Sequence, residues 1–207
     1  MAEPTSKSEY KGTSREAYSR GSGTGRTEQG YTNVMKKNIL GTESSIRNNR
    51  DESAHVFDAK GNKILTVQGK KNRVNLTGVN VPADSIMTHN HPLSIGRKGI
   101  MSIGNSFSNA DVVTAVSFNV KEMRAVTPTY TFSIKRPKGG WGDVNKINKA
   151  YKKIEKDVVR EGMSYVNKGK SVMAQRTRAE RATVAHTHKV MSRLAKQFGW
   201  DYTKKKG

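Results

Sequence analysis

The chain contains no cysteine, which closes off disulfides and thiolate metal sites alike and leaves imidazole nitrogen and oxygen as its only strong metal donors. Acidic residues are scarce. The 17 Asp+Glu stand against 38 Lys+Arg in 207 residues, a net charge of +21, which concerns partners and solubility and not fold. Apolar residues are also few, 33%, below the usual ~45–50% of globular chains even after allowing for the glycine counted in that figure. Part of the chain is therefore expected to stay unpacked. No apolar run approaches the ~18–20 residues of a membrane span, and the opening MAEPTSKSEYKG lacks the apolar core of a secretory signal. A soluble, cytoplasmic protein with no membrane partner is expected.

What is present is unevenly distributed. Residues 1–30 are Ser, Gly, Thr, Lys, Arg and Glu without apolar periodicity, a composition that cannot offset its ordering entropy, and they are expected to form a disordered basic arm. Over 31–50, Val34, Met35, Ile39 and Leu40 fall loosely at helical spacing, predicting a short helix or linker that ends at Gly41. From Glu52 the grammar changes. Ala54–Phe57 and Lys63–Gln68 read as a hairpin around Asp58-Ala59-Lys60-Gly61-Asn62, and SIMTHNH as a buried strand. SFSNADVVTAVSFN reads as a helix with Ser108 as N-cap and Asp111 three residues on, a capping box. KEMRAVTP and YTFSIKRP supply two further strands with Pro128 in their turn. The domain is expected to occupy 51–140.

Residues 141–207 are expected to be a basic helical extension. Val144, Ile147, Tyr151, Ile154 and Val158 make one apolar stripe, and Met191, Leu194, Ala195 and Phe198 a second that ends at Gly199. From Lys135 onward there are 20 Lys+Arg and 6 Asp+Glu, so +14 of the +21 lies in the last third. Lys146, Lys149, Lys152, Lys153, Lys156 and Arg160 line the first helix. Arg176, Arg178, Arg181, Lys189, Arg193 and Lys196 line the second, enough charge for salt-dependent, sequence-independent binding of nucleic acid. Trp141, Trp200 and Tyr202 sit where helices meet a domain, so anchoring in the core is expected of them before stacking on bases. GSGTGRTEQG follows no strand and lacks the Gly-Lys-Ser/Thr ending of a phosphate loop.

The chemistry concentrates in DSIMTHNHPLS. On a strand, residues i and i+2 share a face, so His89 and His91 present their rings side by side. Two imidazoles on one face begin a zinc site whose remaining donors must be oxygen or another histidine. Asp111, in the first turn of the next helix, is the candidate third ligand. Glu52 is the candidate base for a water whose pKa a catalytic zinc lowers, with Asp84 and Asp51 as alternative carboxylates. His186 and His188 repeat the spacing, but on a helix i and i+2 diverge, so they are expected to be solvated positions. His55 is expected to be a packed strand histidine.

The order Glu52, His89-x-His91-Pro92 and Ser108-x-x-Asp111 resembles the signature of the JAMM metallopeptidases. ESAHVFDAKGN, THNHP, SFSNAD and VKEMRAVT are similar to the JAB-like domains of phage proteins and bacterial polymorphic toxins. The resemblance covers residues 52 to about 135. It implies an α/β fold with three α/β/α layers, a mixed sheet and deaminase-like topology. It also implies a zinc-dependent hydrolase of peptide or isopeptide bonds, with His89, His91 and Asp111 holding Zn²⁺, Glu52 as acid/base and Ser108 donating to the oxyanion. Its partners would be a protein or peptide substrate and, if the chain is phage-encoded, virion proteins, in the host cytoplasm or the particle. The residues 92–107 between His91 and Ser108 are more than the family usually has, so a loop over 93–107 is expected beside the metal. The competing reading is a non-enzymatic basic phage structural or nucleic-acid-associated protein on the same scaffold.

Overall fold

The helix over Asn33–Ile46, α1, runs straight through Gly41 and is not ended by it. The computed structural model describes residues 33–71, 73–92 and 105–207; the expected basic arm over 1–30 and all but the end of the expected loop over 93–107 lie outside them. A mid-helix glycine costs ~1 kcal/mol relative to alanine. That is small beside what α1 buries, since Met35, Ile39, Glu43 and Ile46 all face inward. Of the four apolar residues at helical spacing, Val34 and Leu40 are exposed, at 59% and 55%.

Six strands follow: β1 Ser53–Phe57, β2 Lys63–Gln68, β3 Ile86–Asn90, β4 Glu122–Val126, β5 Tyr130–Lys135 and β6 Asp201–Lys206. They form one sheet in the order β2-β1-β3-β4-β5-β6. β3 and β4 are parallel and every other neighbouring pair is antiparallel. Three more helices are α2 Asn109–Ser117, α3 Val144–Asn167 and α4 Val172–Phe198. The fold is α/β with a mixed sheet and a C-terminal helix pair. β1 and β3 are buried at every position, as central strands covered on both faces must be. In the β1–β2 turn Asp58 Oδ1 accepts from the amides of Lys60 and Asn62, each at 2.8 Å. Gly61 takes φ +86° there, and a Cβ on it would lie 2.4 Å from Met35 Cα.

Alternation along the strands separates two cores. Toward α1, Thr88 Oγ1 donates to Glu43 Oε1 at 3.0 Å, and Arg124 clasps the same carboxylate with Nε to Oε1 at 2.5 Å and Nη2 to Oε2 at 3.0 Å. On the opposite face Val56, Met87, Met123, Ala125, Phe132 and Ile134 join one apolar cluster with Val112 and Ala115 of α2, Ile147 and Tyr151 of α3 and Met191 and Leu194 of α4. The sheet is thus sandwiched between α1 and the other three helices.

The last third of the chain is woven into this arrangement, and Thr32–Gly207 cluster as one compact unit. Trp141 and Trp200 are core residues, 3% and 6% exposed, and their rings meet edge to face at 5.2 Å. α4 stops where its sequence says it should, with Gly199 at φ 69° as a left-handed cap. The helices do not close the chain, however, because DYTKKK adds β6 to the free edge of β5. Lysine and aspartate are poor strand formers by propensity. Here the β5 edge supplies the hydrogen bonds, and Lys204 Nζ lies 4.0 Å from the centre of the Tyr130 ring. A lysine-rich outer strand also discourages further edge pairing. Among the described residues no helix is long and apolar enough to cross a membrane.

Candidate metal centre

Four side chains meet at the end of β3: one ligating atom each from Glu52, His89, His91 and Asp111 lies within 4.8 Å of all the others. Each arrives by a separate piece of local structure. His89 faces the helical layer from within β3, and His91 follows immediately after the strand, its amide still bonded to the Val126 carbonyl at 2.8 Å. Glu52 enters from the residue just before the neighbouring strand, since β1 pairs antiparallel with β3 and Ala54 stands opposite His89. Asp111 comes from the crossover that makes β3 and β4 parallel. It is the third residue of α2, whose N-cap is Ser108, with both bonds of the capping box present. The site therefore sits at the carboxyl end of a parallel strand beside a helix N-terminus, the usual position for a ligand in an α/β sheet.

The residues fit a metal ion on geometry and on donor chemistry. Donors at ~2.0–2.2 Å from a tetrahedral ion stand roughly 3.3–3.5 Å from one another. His89 Nε2 lies 3.4 Å from Asp111 Oδ1 and His91 Nε2 3.5 Å from Asp111 Oδ2. The two Nε2 atoms are closer, at a hydrogen-bonding 2.8 Å, and must part by roughly 0.5 Å for both to ligate one tetrahedral ion. His91 Nδ1 lies 2.8 Å from the Asn105 carbonyl oxygen, which can only accept, so Nδ1 donates there and Nε2 is the nitrogen turned to the cluster, able to ligate once its own proton has left.

The electrostatics divide the carboxylates. Burial raises the Glu52 carboxyl above its ordinary 4.5, and the nearby His89 and His91 only partly offset this. Burial pushes Asp111 the same way, but the two imidazoles outweigh it and hold this carboxyl well below the usual range. Burial opposes charge on His91, yet the Asp111 carboxylate and the Asn105 carbonyl push it up to about 9. Two carboxyls driven apart in this way are suited to different tasks, one a fixed anion and one a proton carrier.

The cluster opens on a cavity of about 280 Å³ with Ala54, Val74, Leu76, Met87 and Met123 as its apolar wall and Ser108 and Arg73 on its lining. The Ser108 hydroxyl donates to Asp111 Oδ2 at 2.8 Å, and its amide reaches the same oxygen at 2.7 Å. Among the alternative carboxylates, Asp84 pairs with Arg136 and Asp51 accepts from the Lys71 amide at 2.7 Å. Neither belongs to the cluster. His55 is packed between Ser53 and Thr66 at 3.2 and 3.1 Å.

His186 and His188 take no part in the cluster, but His188 is not a solvated position. It is half-buried, its Nδ1 lies 2.9 Å from Tyr202 Oη, and burial followed by the Lys204 charge pulls it down to about 4. Several arginines of the basic helices have partners, mostly at the exposed surface. Arg193 makes a two-pronged pair with Glu161 at 2.7 Å, Arg160 and Arg176 pair with Asp157 and Glu180, and Arg178 donates to the Tyr165 carbonyl.

Asn90 is a site residue that motif reasoning passed over. Its side-chain oxygen accepts from the Ser53 amide at 2.8 Å and its Nδ2 donates to the Asp51 carbonyl at 3.0 Å. It thereby ties the stretch that carries Glu52 to the strand that carries the histidines. An amide in the middle of a strand read as fully buried was the available signal, since such a group must be hydrogen-bonded.

No protein-family model, curated protein or solved structure matches the chain.

Proposed function

We propose that the protein is a zinc-dependent hydrolase of peptide or isopeptide bonds, of the JAMM type. The observation that carries this reading is the convergence of Glu52, His89, His91 and Asp111. The order Glu, H-x-H-P, S-x-x-D supports the same reading. His89, His91 and Asp111 would hold the ion, an N₂O set suited to Zn²⁺. Zinc supplies Lewis acidity toward a carbonyl oxygen and lowers the pKa of water to ~7.

The chain's own groups account for the proton transfers. Glu52, raised by burial, takes one proton from the attacking water and returns it to the leaving nitrogen. The water oxygen stays on the acyl carbon and the C–N bond breaks, giving a carboxylic acid and an amine, which leave as carboxylate and ammonium once the acid's remaining proton passes to the amine. The Ser108 hydroxyl lies on the cavity lining and can donate to the substrate oxygen once its proton turns from Asp111. At about 280 Å³ the cavity falls just below the usual range of ligand pockets, ~300–1,000 Å³. It suits an extended backbone with one or two side chains, so a protein substrate would present a tail or linkage and not a folded face.

The test is a screen of extended peptides and isopeptide-linked pairs. Cleavage is expected to stop on exhaustive chelation and to return with about one equivalent of zinc. Cleavage that persists in protein shown to be metal-free contradicts the reading.

A further inference from the structure

The residues that lead into the site make few bonds with their own neighbours and many with the end of the chain. Between Asn105 and Asn109 there is no regular ladder, so the polar groups of the buried pair at its centre, Ser106 and Phe107, need partners elsewhere. The Ser106 amide donates to Thr187 Oγ1 of α4 at 2.8 Å, and Ser106 Oγ lies 2.8 Å from Tyr202 Oη of β6. The Phe107 carbonyl accepts from Tyr151 Oη of α3 at 3.2 Å, and Asn109 Nδ2 donates to Asn148 Oδ1 at 2.8 Å. Ser106 is 1% exposed, and the Tyr202 hydroxyl is itself held by His188 Nδ1 at 2.9 Å.

This tethered stretch touches the cluster at both ends. At one end the Asn105 carbonyl accepts from His91 Nδ1. At the other, Ser108 begins the helix that presents Asp111. We propose that Tyr202 and Thr187 are positioning residues for the metal site: through Ser106 they hold the Asn105 carbonyl against His91 and set the start of α2. The C-terminal helices and strand are on this account part of the metal site's support, whatever else their charge attracts. Partners that orient a ligand in this way typically change metal affinity about 10–100-fold when removed.

The inference rests on the proposed metal site, and its test separates the two. Zinc affinity is measured by competition with a chelating dye for wild type, Tyr202→Phe and Thr187→Ala. Alongside it, the His91 Nδ1–H proton resonance is followed in the metal-free proteins. Each variant is expected to bind zinc about 10–100-fold more weakly and to lose protection of that proton from exchange. Loss of one hydrogen bond should lower the thermal midpoint by no more than about 5 °C. Thr187→Ala removes a separate bond to the same stretch, so the proposal stays testable should Tyr202→Phe fail to fold. A lower midpoint with zinc affinity and the His91 proton unchanged would mean a purely structural role and overturn the proposal. A wild type that binds no zinc overturns the metal reading, while the His91 proton still decides whether the tether orients the ring.

Discussion

Glu52→Gln is expected to keep zinc bound at wild-type stoichiometry and to lower turnover by about 10²–10⁴-fold, the usual worth of a positioned acid/base group. The substitution preserves shape and hydrogen-bonding size but removes the ability to take up a proton. Its outcome separates two roles that geometry alone leaves close together, because Glu52 supplies one of the four converging atoms. His89 and His91 flank the end of β3, and Asp111 is held by two bonds from Ser108. Glu52 comes from just before the strand beside them, with its carboxyl raised by burial and not lowered as that of Asp111 is. A group in that state exchanges protons more readily than a permanently charged ligand does. Zinc lost together with activity in Glu52→Gln would make Glu52 a ligand and move the base elsewhere. Full turnover in the variant would remove it from the chemistry.

Glu43→Ala is expected to lower stability by about 3–5 kcal/mol, since it strips the partner from a buried guanidinium. Glu43 is 1% exposed, accepts two bonds from Arg124 and one from Thr88, and is the main polar link between α1 and the sheet. Arg124 keeps Glu122 as a second partner at 2.8 Å, but the bidentate half of its contacts is lost. For a chain of this size the loss corresponds to a fall in melting temperature on the order of 10 °C, read by calorimetry. A change below about 1 kcal/mol would show that α1 is held by its apolar residues alone. The metal cluster lies on the opposite face of the sheet, so zinc stoichiometry in the folded variant should be unchanged.

Local patterns made much of this architecture legible. β2 was read at its observed bounds and β1 to within one residue, because alternation and the Asp58–Asn62 turn chemistry are short-range signals. The capping box of Ser108 and Asp111 was visible for the same reason. The histidine pair could be placed on one face because a strand has period two. What escaped was set by distant partners. Gly41 looked like a stop, but the face that α1 buries continues to Ile46. In the terminal DYTKKK four of six residues are Asp or Lys, which disfavour strands, and it is pairing with the open edge of β5 that makes it β6. His188 looked solvated because its partner, Tyr202, belongs to a strand that could not be foreseen. Asn90 carries no motif signal, and its importance lies in two bonds across the sheet to residues 51–53.

Metal content is the direct measurement: plasma mass spectrometry on protein purified without a histidine tag, wild type beside His89→Ala/His91→Ala. About one zinc per chain in the wild type, lost in the double variant with the fold retained, is the expected result. No bound metal in the wild type, even after zinc is supplied, would contradict the account at its centre.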